Sequence, residues 1–273
     1  MINTYRQAVA EWHQEKEEAI RKENGWLSLV GLFWLKIGKN RVGSDPTCEV
    51  VLPSSAPALI GSFDHNGKSI TLHTDGGLKV DVNGKTTDFA ILQPDISNTP
   101  SFITIGKIRM MVIQRGSRMG IRIWDNGREE RRSFPARTWY DTDESFRIPA
   151  RYTAYPRPKH TIFPGITGEK TESTVDGYLE FQYNGATYQL DITIEEDNEL
   201  FVRFYDPTSE SETYPTGRYI YVKLEKDNTA VIDFNYSYNP PCAFTDFATC
   251  VFAPAQNHLD FKVTAGETYQ VHK

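Results

Sequence analysis

Ile2, Tyr5, Val9, Trp12 and Ile20 recur at steps near three and four, with Glu and Lys filling the positions between them. That spacing predicts one amphipathic helix over residues 3–23, with Gly25 available as its C-terminal cap. Its apolar stripe is narrow, as expected for a helix lying on the body of the protein; a partner-binding helix is the alternative. From Gly31 onward the period changes. Short runs of β-branched and aromatic residues alternate with the dipeptides Asn66-Gly67, Asp75-Gly76, Asn83-Gly84, Asn126-Gly127 and Asn184-Gly185. Asn-Gly favours the positive backbone angles of tight turns, so each dipeptide marks an expected reversal between antiparallel strands. The expected strands are residues 38–42, 49–52, 69–73, 78–82, 102–114, 119–124, 178–183, 186–195, 200–205, 218–224 and 230–234. No long helical pattern follows the N-terminal arm.

Residues 148–177 read IPARYTAYPRPKHTIFPGITGEKTESTVDG, in which Pro149 and three further prolines break any strand period. This is the expected connection. The chain then divides into a helical arm (1–25), a β-sandwich (26–148), a proline-rich connection (149–177) and a second β region (178–273). The fold class is mainly β, either an antiparallel β-sandwich or two packed β subdomains, with an N-terminal amphipathic helix.

Composition agrees with that class: the aromatic share is 12%, and 19 Gly and 15 Pro fall in short clusters. With 273 residues the chain can bury a core that needs neither disulfide nor metal, so stability calls for no cofactor. Asp and Glu number 36 against 30 Lys and Arg, a net charge of -6, and the basic residues are scattered. A nucleic-acid binder needs a basic face, so that class is set aside. The most apolar stretch, residues 26–35, is far shorter than the roughly 20 residues of a membrane-spanning helix. The opening lacks the apolar core and cleavage site of a secretory signal. Three cysteines, Cys48, Cys242 and Cys250, are an odd count that fits a reducing compartment, so a cytoplasmic location is expected.

Residues 41–53, RVGSDPTCEVVLP, place a Gly-Ser-Asp-Pro turn between two strands and resemble the opening of a forkhead-associated domain, a β-sandwich that binds phosphothreonine. The family's phosphate contacts come from a basic residue after the glycine and from a Ser-Arg-x-x-His run. Here Ser44 follows Gly43 and the second motif is replaced by Ser54-Ser55-Ala56-Pro57-Ala58. Without those cations a phosphate has no charge-assisted partner, so the resemblance is one of fold and phosphopeptide binding is not expected.

The most distinctive text is DFNYSYNPPCAFTDFATCVFAPAQN, residues 233–257. Together with GWLSLVGLFWL, VGSDP and the late TAGE, it resembles the bacterial and archaeal family called domain of unknown function 1684, over a span from about Trp26 to Glu267. Its most specific element is Asn239-Pro240-Pro241-Cys242-Ala243-Phe244-Thr245 with Ala248-Thr249-Cys250; Val251 replaces the usual proline. The resemblance implies a fold and no activity.

Tandem prolines lock a chain into an extended shape, and rigid loops often present a site. Tyr214, Arg218, Asp233, Asn235, Asn239 and Cys242 are the expected ligand-binding residues, since an Arg with Asp and Asn neighbours grips a carboxylate, a sugar or an amide. The competing reading is a cross-strand Arg218–Asp233 salt bridge with asparagines capping turns. Cys242 is also a candidate nucleophile, with His258 or Arg218 as activator and Asp233 or Asn239 as orienting group; Asp233 is a candidate general base. Against this, Cys242 and Cys250 could be inert thiols packed among Phe244, Phe247 and Phe252. Cys242, Cys250 and His258 stand eight residues apart, a spacing unlike that of zinc sites, and no metal is expected. Glu129-Glu130 and Glu195-Glu196 read as solvated surface. No Gly-x-Ser-x-Gly elbow, phosphate loop, dinucleotide fingerprint or His-Glu-x-x-His helix occurs.

Three functions remain open: a binding protein for a small polar ligand at the NPPCAF region, a hydrolase or transferase using the same loop, and an interaction scaffold whose aromatics Trp26, Phe33 and Trp34 dock on a partner. In the third case the alternative is that these aromatics close the core. Oligomeric state is left open.

Overall fold

The computed structural model describes residues 4–166, 168, 170–195 and 199–270. Ile2 and Glu196 therefore lie outside the described residues. The chain is mainly β, with several antiparallel sheets and one long helix at its start. It forms two compact units, one comprising residues 19–134 with 244–248, the other comprising 4–18, 135–243 and the described part of 249–273.

The first helix, α1, runs Thr4–Arg21. Val9 and Ile20 are its buried positions, and Tyr5 and Trp12 are half-buried. The helix ends differently from the expected cap. Asn24 takes the left-handed conformation at φ 60°, whereas Gly25 does not. Gly25 is required for another reason: a Cβ there would lie 2.7 Å from the Ile20 carbonyl oxygen and 2.8 Å from those of Ala19 and Lys22.

In the unit of residues 19–134 the strands are β1 (Leu29–Trp34), β2 (Gly38–Gly43), β3 (Val50–Val51), β4 (Gly61–His65), β5 (Ile70–Thr74), β6 (Val80–Val82), β7 (Lys85–Thr87), β8 (Phe89–Leu92), β9 (Phe102–Ile105), β10 (Ile108–Arg115) and β11 (Arg118–Asp125), followed by a one-turn helix α2 (Glu130–Ser133). One sheet has the order β1-β11-β10-β9-β6-β7 and the other β3-β2-β4-β5-β8, with only β2 and β3 parallel. Val42, Phe63 and Leu72 from one sheet meet Ile103, Val112 and Ile121 from the other in a single core. Such side chains contribute about 2 kcal/mol each on burial. Successive residues of β10 point to opposite faces. Ile108, Met110 and Val112 enter this core, while Met111 and Ile113 join Leu29 and Trp124 in a second cluster. Both faces of β10 are therefore covered, which explains the unbroken apolar run of residues 110–113. Trp26 and Trp34 pack on the second cluster and Phe33 on the first, so all three close the core.

Two turn dipeptides form two-residue hairpins with positive φ at both positions: Asn83-Gly84 between β6 and β7, and Asn184-Gly185 in the other unit. Asn126-Gly127 does not reverse a strand; it leads from β11 into α2, and Gly127 is not left-handed. The single strand expected at 102–114 is two strands, divided by Gly106, whose φ of 58° makes the β9–β10 turn.

The other unit holds β12 (Arg147–Pro164), β13 (Lys170–Tyr183), β14 (Ala186–Ile194), β15 (Glu199–Phe204), β16 (Arg218–Lys223) and β17 (Thr229–Asp233), all antiparallel in the order β16-β15-β14-β13-β12-β17. Its core includes Leu179, Leu190, Val202, Phe204, Ile232 and Phe234. The proline-rich segment expected as a connection is thus largely strand. Ala150–Ala154 pair with Gly177–Phe181, the register then shifts, and pairing resumes at Lys159 opposite Val175. Pro156 and Pro158 fall within that irregularity, where a missing N–H breaks no ladder bond.

Candidate functional site

Arg218 opens β16 and is wholly excluded from solvent. Its Nη2 donates to Asp206 Oδ1 at 3.1 Å and to the Val263 carbonyl at 2.8 Å, and its Nη1 donates to the Ala265 carbonyl at 2.5 Å and the Glu267 carbonyl at 3.4 Å. These carbonyls belong to alternate residues of a C-terminal segment with no regular ladder. A buried carbonyl needs a donor, and one guanidinium supplies three of them. Asp206 in turn accepts from the backbone N–H of Thr208 at 3.1 Å and of Val263 at 2.8 Å. The partner of Arg218 is therefore Asp206, and the expected Arg218–Asp233 bridge does not form.

A second buried ion pair lies close by along the chain. Arg137 Nε and Nη2 grip Glu267 Oε1 and Oε2 at 2.7 and 2.5 Å, with side-chain exposures of 3% and 2%. Burial pushes the Glu267 carboxyl above its ordinary range, against the pull of Arg137 and of the Asn239 N–H that donates to it at 2.6 Å. Asn239 also donates from its amide to the Thr268 carbonyl at 2.9 Å. Asp233 accepts from the Tyr5 hydroxyl at 2.9 Å and from Arg147 Nε at 3.1 Å. Asn235 exchanges hydrogen bonds with the Asp143 backbone at 2.9 and 2.8 Å. Arg218, Asn235 and Asn239 are thus engaged inside the fold, and Asp233, which also accepts from the Asn235 backbone N–H at 3.2 Å and side-chain amide at 2.9 Å, groups with Tyr5, Arg147 and Asn235.

Cys242 and Tyr214 form the remaining part. Pro241–Ala243 make a 3₁₀ turn, closed by the Ala243 N–H on the Pro240 carbonyl at 2.9 Å, so the second proline starts a helical turn where an extended double-proline segment was expected. The turn sets Cys242, half-buried, beside buried Cys250, whose Sγ accepts from the Cys242 N–H at 3.2 Å. The Tyr214 hydroxyl donates to the Cys242 carbonyl at 3.1 Å. Cys250 itself is pinned by the strand region of residues 164–166: the Ile166 N–H donates to its carbonyl at 2.9 Å, and the Phe252 N–H to that of Pro164 at 3.1 Å.

The two thiols share a proton unequally. A hydrogen bond from the Cys250 thiol lowers Cys242, against burial and helped by Tyr214 and Thr216. The same bond, with burial, raises Cys250 strongly. Of the two, Cys242 is therefore the sulfur whose ionised form its surroundings favour, and Cys250 the one whose protonated form they favour. Two of the three expected phenylalanines pack elsewhere. Phe244 packs edge-on against Phe134 and Phe247 joins the Trp26 cluster, whereas Tyr214 and Tyr219 flank the sulfurs, both hydroxyls raised first by burial. His258 packs beside the Tyr205 ring at 4.9 Å. Among the described residues no group of three or more His, Cys, Asp or Glu is placed to hold a metal, and no helix is long and apolar enough to cross a membrane.

Asp206, Arg137, Thr216 and Tyr219 have no motif that distinguishes them in the sequence; only the fold brings them to these positions. Glu267 carried one signal, its place in the late TAGE.

A family described as a protein of unknown function (DUF1684) matches residues 132–268, which include the NPPCAF turn and both cysteines. The chain belongs to this DUF1684 family. The match covers the C-terminal part of the broader span, from about Trp26, over which the sequence resembles it. A solution NMR structure of an uncharacterized protein of Haloarcula marismortui is 30% identical, covering 51% of this chain and 80% of that one, with a TM-score of 0.43. No curated protein matches the chain.

Proposed function

We propose that this DUF1684 protein binds a small polar ligand at the NPPCAF turn, with the Cys242 thiol as the group that meets it. The observation that supports this reading is the contrast within the expected set. Arg218, Asn235 and Asn239 are buried and hydrogen-bonded to the fold, while Cys242 is only partly buried and has thiolate character favoured by its neighbours. Asn239, held by the Glu267 carboxylate and the Thr268 carbonyl, then anchors the start of the turn. The odd cysteine count supports a reducing, cytoplasmic setting for such a thiol. Phosphopeptide recognition stays outside the reading, because Arg41 is engaged by Glu49 and Thr47, and Ser44 donates to the Ala56 carbonyl at 2.9 Å.

Iodoacetamide, itself a small polar amide, tests the reading. In the native full chain near neutral pH it should alkylate Cys242 at least about tenfold faster than Cys250 or Cys48, as read by peptide mapping. Labelling of Cys242 only after denaturation would remove the site. The lowered thiol also favours a second reading, acyl transfer through Cys242. A stoichiometric burst of p-nitrophenolate from p-nitrophenyl acetate, absent in Cys242→Ala, would select it; equal release by both chains would dismiss it.

A further inference from the structure

Cys250 enters the function proposed above only as a neighbour that favours the Cys242 thiolate. Its sulfur lies 3.2 Å from the Cys242 backbone nitrogen, close enough to shift the Cys242 thiol. A sulfur in that position is set to close on its neighbour once one of the two is oxidised. The two differ as a reacting pair requires: Cys242 is only partly buried, and Cys250 is buried and held by backbone bonds to residues 164 and 166 through itself and Phe252. The Tyr214 and Tyr219 hydroxyls lie beside the sulfurs and donate to the carbonyls of Cys242 at 3.1 Å and Val251 at 3.3 Å, which fixes the backbone on either side of the pair. Cys48, the third cysteine, is buried in the other unit, its sulfur 3.9 Å from the Ala58 carbonyl, and has no sulfur partner among the described residues.

We propose that Cys242 and Cys250 are a dithiol site that takes a hydroperoxide as its two-electron oxidant and closes to an intramolecular disulfide. The Cys242 thiolate attacks one peroxide oxygen. The S–O bond forms, the O–O bond breaks, and hydroxide (or alkoxide) leaves and takes up the proton that Cys242 gave to solvent. The Cys250 sulfur then attacks the Cys242 sulfur. The S–S bond forms as the S–O bond breaks, and the departing hydroxide carries off the Cys250 proton as water. Two thiols are oxidised by two electrons in all and one peroxide is reduced. Closure ties the NPPCAF turn to the segment beside residues 164–166 and occupies the thiol that the proposed ligand would meet, so oxidation shuts that site. The inference rests on the preceding reading in one respect, that the Cys242 sulfur is open to small molecules.

The experiment titrates the native full chain with hydrogen peroxide, then alkylates under denaturing conditions. One equivalent should reduce the thiol count from three to one, lower the intact mass by two hydrogens, and yield a Cys242–Cys250 linked peptide with Cys48 still free. Cys250→Ala should trap a sulfenic acid on Cys242 that dimedone labels, and Cys242→Ser should slow peroxide consumption at least about tenfold, both chains being checked for native circular dichroism. The peptide map of the unmutated chain needs no variant and decides the matter if either fails to fold. Rapid iodoacetamide labelling of Cys242 with no disulfide after peroxide would overturn the dithiol site while the binding reading stands. Indifference of Cys242 to both reagents would overturn both. Oxidation only at Cys48, or only a disulfide between two chains, would also overturn the proposal.

Discussion

Arg218 donates to Asp206 at 3.1 Å with both side chains wholly excluded from solvent, and the same guanidinium also holds the carbonyls of Val263, Ala265 and Glu267. Removing one member of a buried pair leaves an uncompensated charge, which costs about 3–5 kcal/mol. Asp206→Ala should lower the urea unfolding free energy by that amount. A simple ion pair could be replaced by hydrocarbon of similar volume at little net cost. Here the double variant Asp206→Leu/Arg218→Met should remain destabilised by at least about 3 kcal/mol, because three buried carbonyls lose their donor at about 1–3 kcal/mol each. Recovery of full stability in the double variant would show that the carbonyl contacts contribute nothing.

Gly266 and Gly185 have nearly the same backbone, φ 79° and 80°, in different surroundings. A Cβ on Gly266 would sit 2.0 Å from Ser237 Oγ and 2.6 Å from the Ser237 carbonyl oxygen, while one on Gly185 would meet nothing within 4 Å. Gly185→Ala should therefore cost only the left-handed strain, about 1–2 kcal/mol. Gly266→Ala adds a clash with fixed backbone and should cost about 3 kcal/mol or more. Thermal unfolding of the two variants side by side checks the difference.

The contrast between these glycines also shows what the sequence could reveal. Asn184-Gly185 is readable because a type I′ turn depends on two adjacent residues and nothing else. The strand at Arg147–Pro164 was unreadable because its prolines are tolerated only through a register shift against β13, a property of the pairing and not of the segment. Arg218 stands out in the sequence, where one of its two readings pairs it with Asp233 on a neighbouring strand; the fold pairs it with Asp206. The choice of Asp206 depends on burial and on the path of residues 263–267, to which no local pattern points. Likewise the paired cysteines were visible as text, while their contact, and the tyrosines beside them, required the fold.

Arg137 is the principal counter-charge of Glu267, at 2.7 and 2.5 Å and almost fully buried. Arg137→Ala should destabilise the protein by about 3–5 kcal/mol near neutral pH. Burial already raises the Glu267 carboxyl, and loss of the arginine raises it further. A carboxyl whose folded pKa lies above its unfolded value contributes its stability below the unfolded value and loses it as pH rises through the folded one. The deficit of Arg137→Ala relative to the parent should therefore shrink as pH is lowered from 7 toward about 4.5. A deficit that is constant or grows on acidification would mean that Glu267 finds another cation.

His13 stacks on Trp139 with ring centroids 3.8 Å apart and planes 12° apart, and a ring nitrogen lies 3.4 Å from the Asn235 carbonyl oxygen. Burial lowers its pKa below the ordinary value of 6.5; the Asn235 carbonyl works against that shift and Arg137 with it. The folded state thus binds this proton more weakly than the unfolded chain does. Between the folded and unfolded values the unfolded chain carries more protons, so the contribution of neutral His13 is complete above about pH 6.5 and falls as pH drops toward the depressed folded value. His13→Phe keeps an aromatic ring against Trp139 and removes the titration. The difference in melting temperature between parent and variant should accordingly move in favour of the variant as pH falls from 7 to 5. Parallel melting curves across that range would mean that the imidazole is as free to protonate in the folded chain as in the unfolded one, contrary to its place between Trp139 and the chain at Asn235.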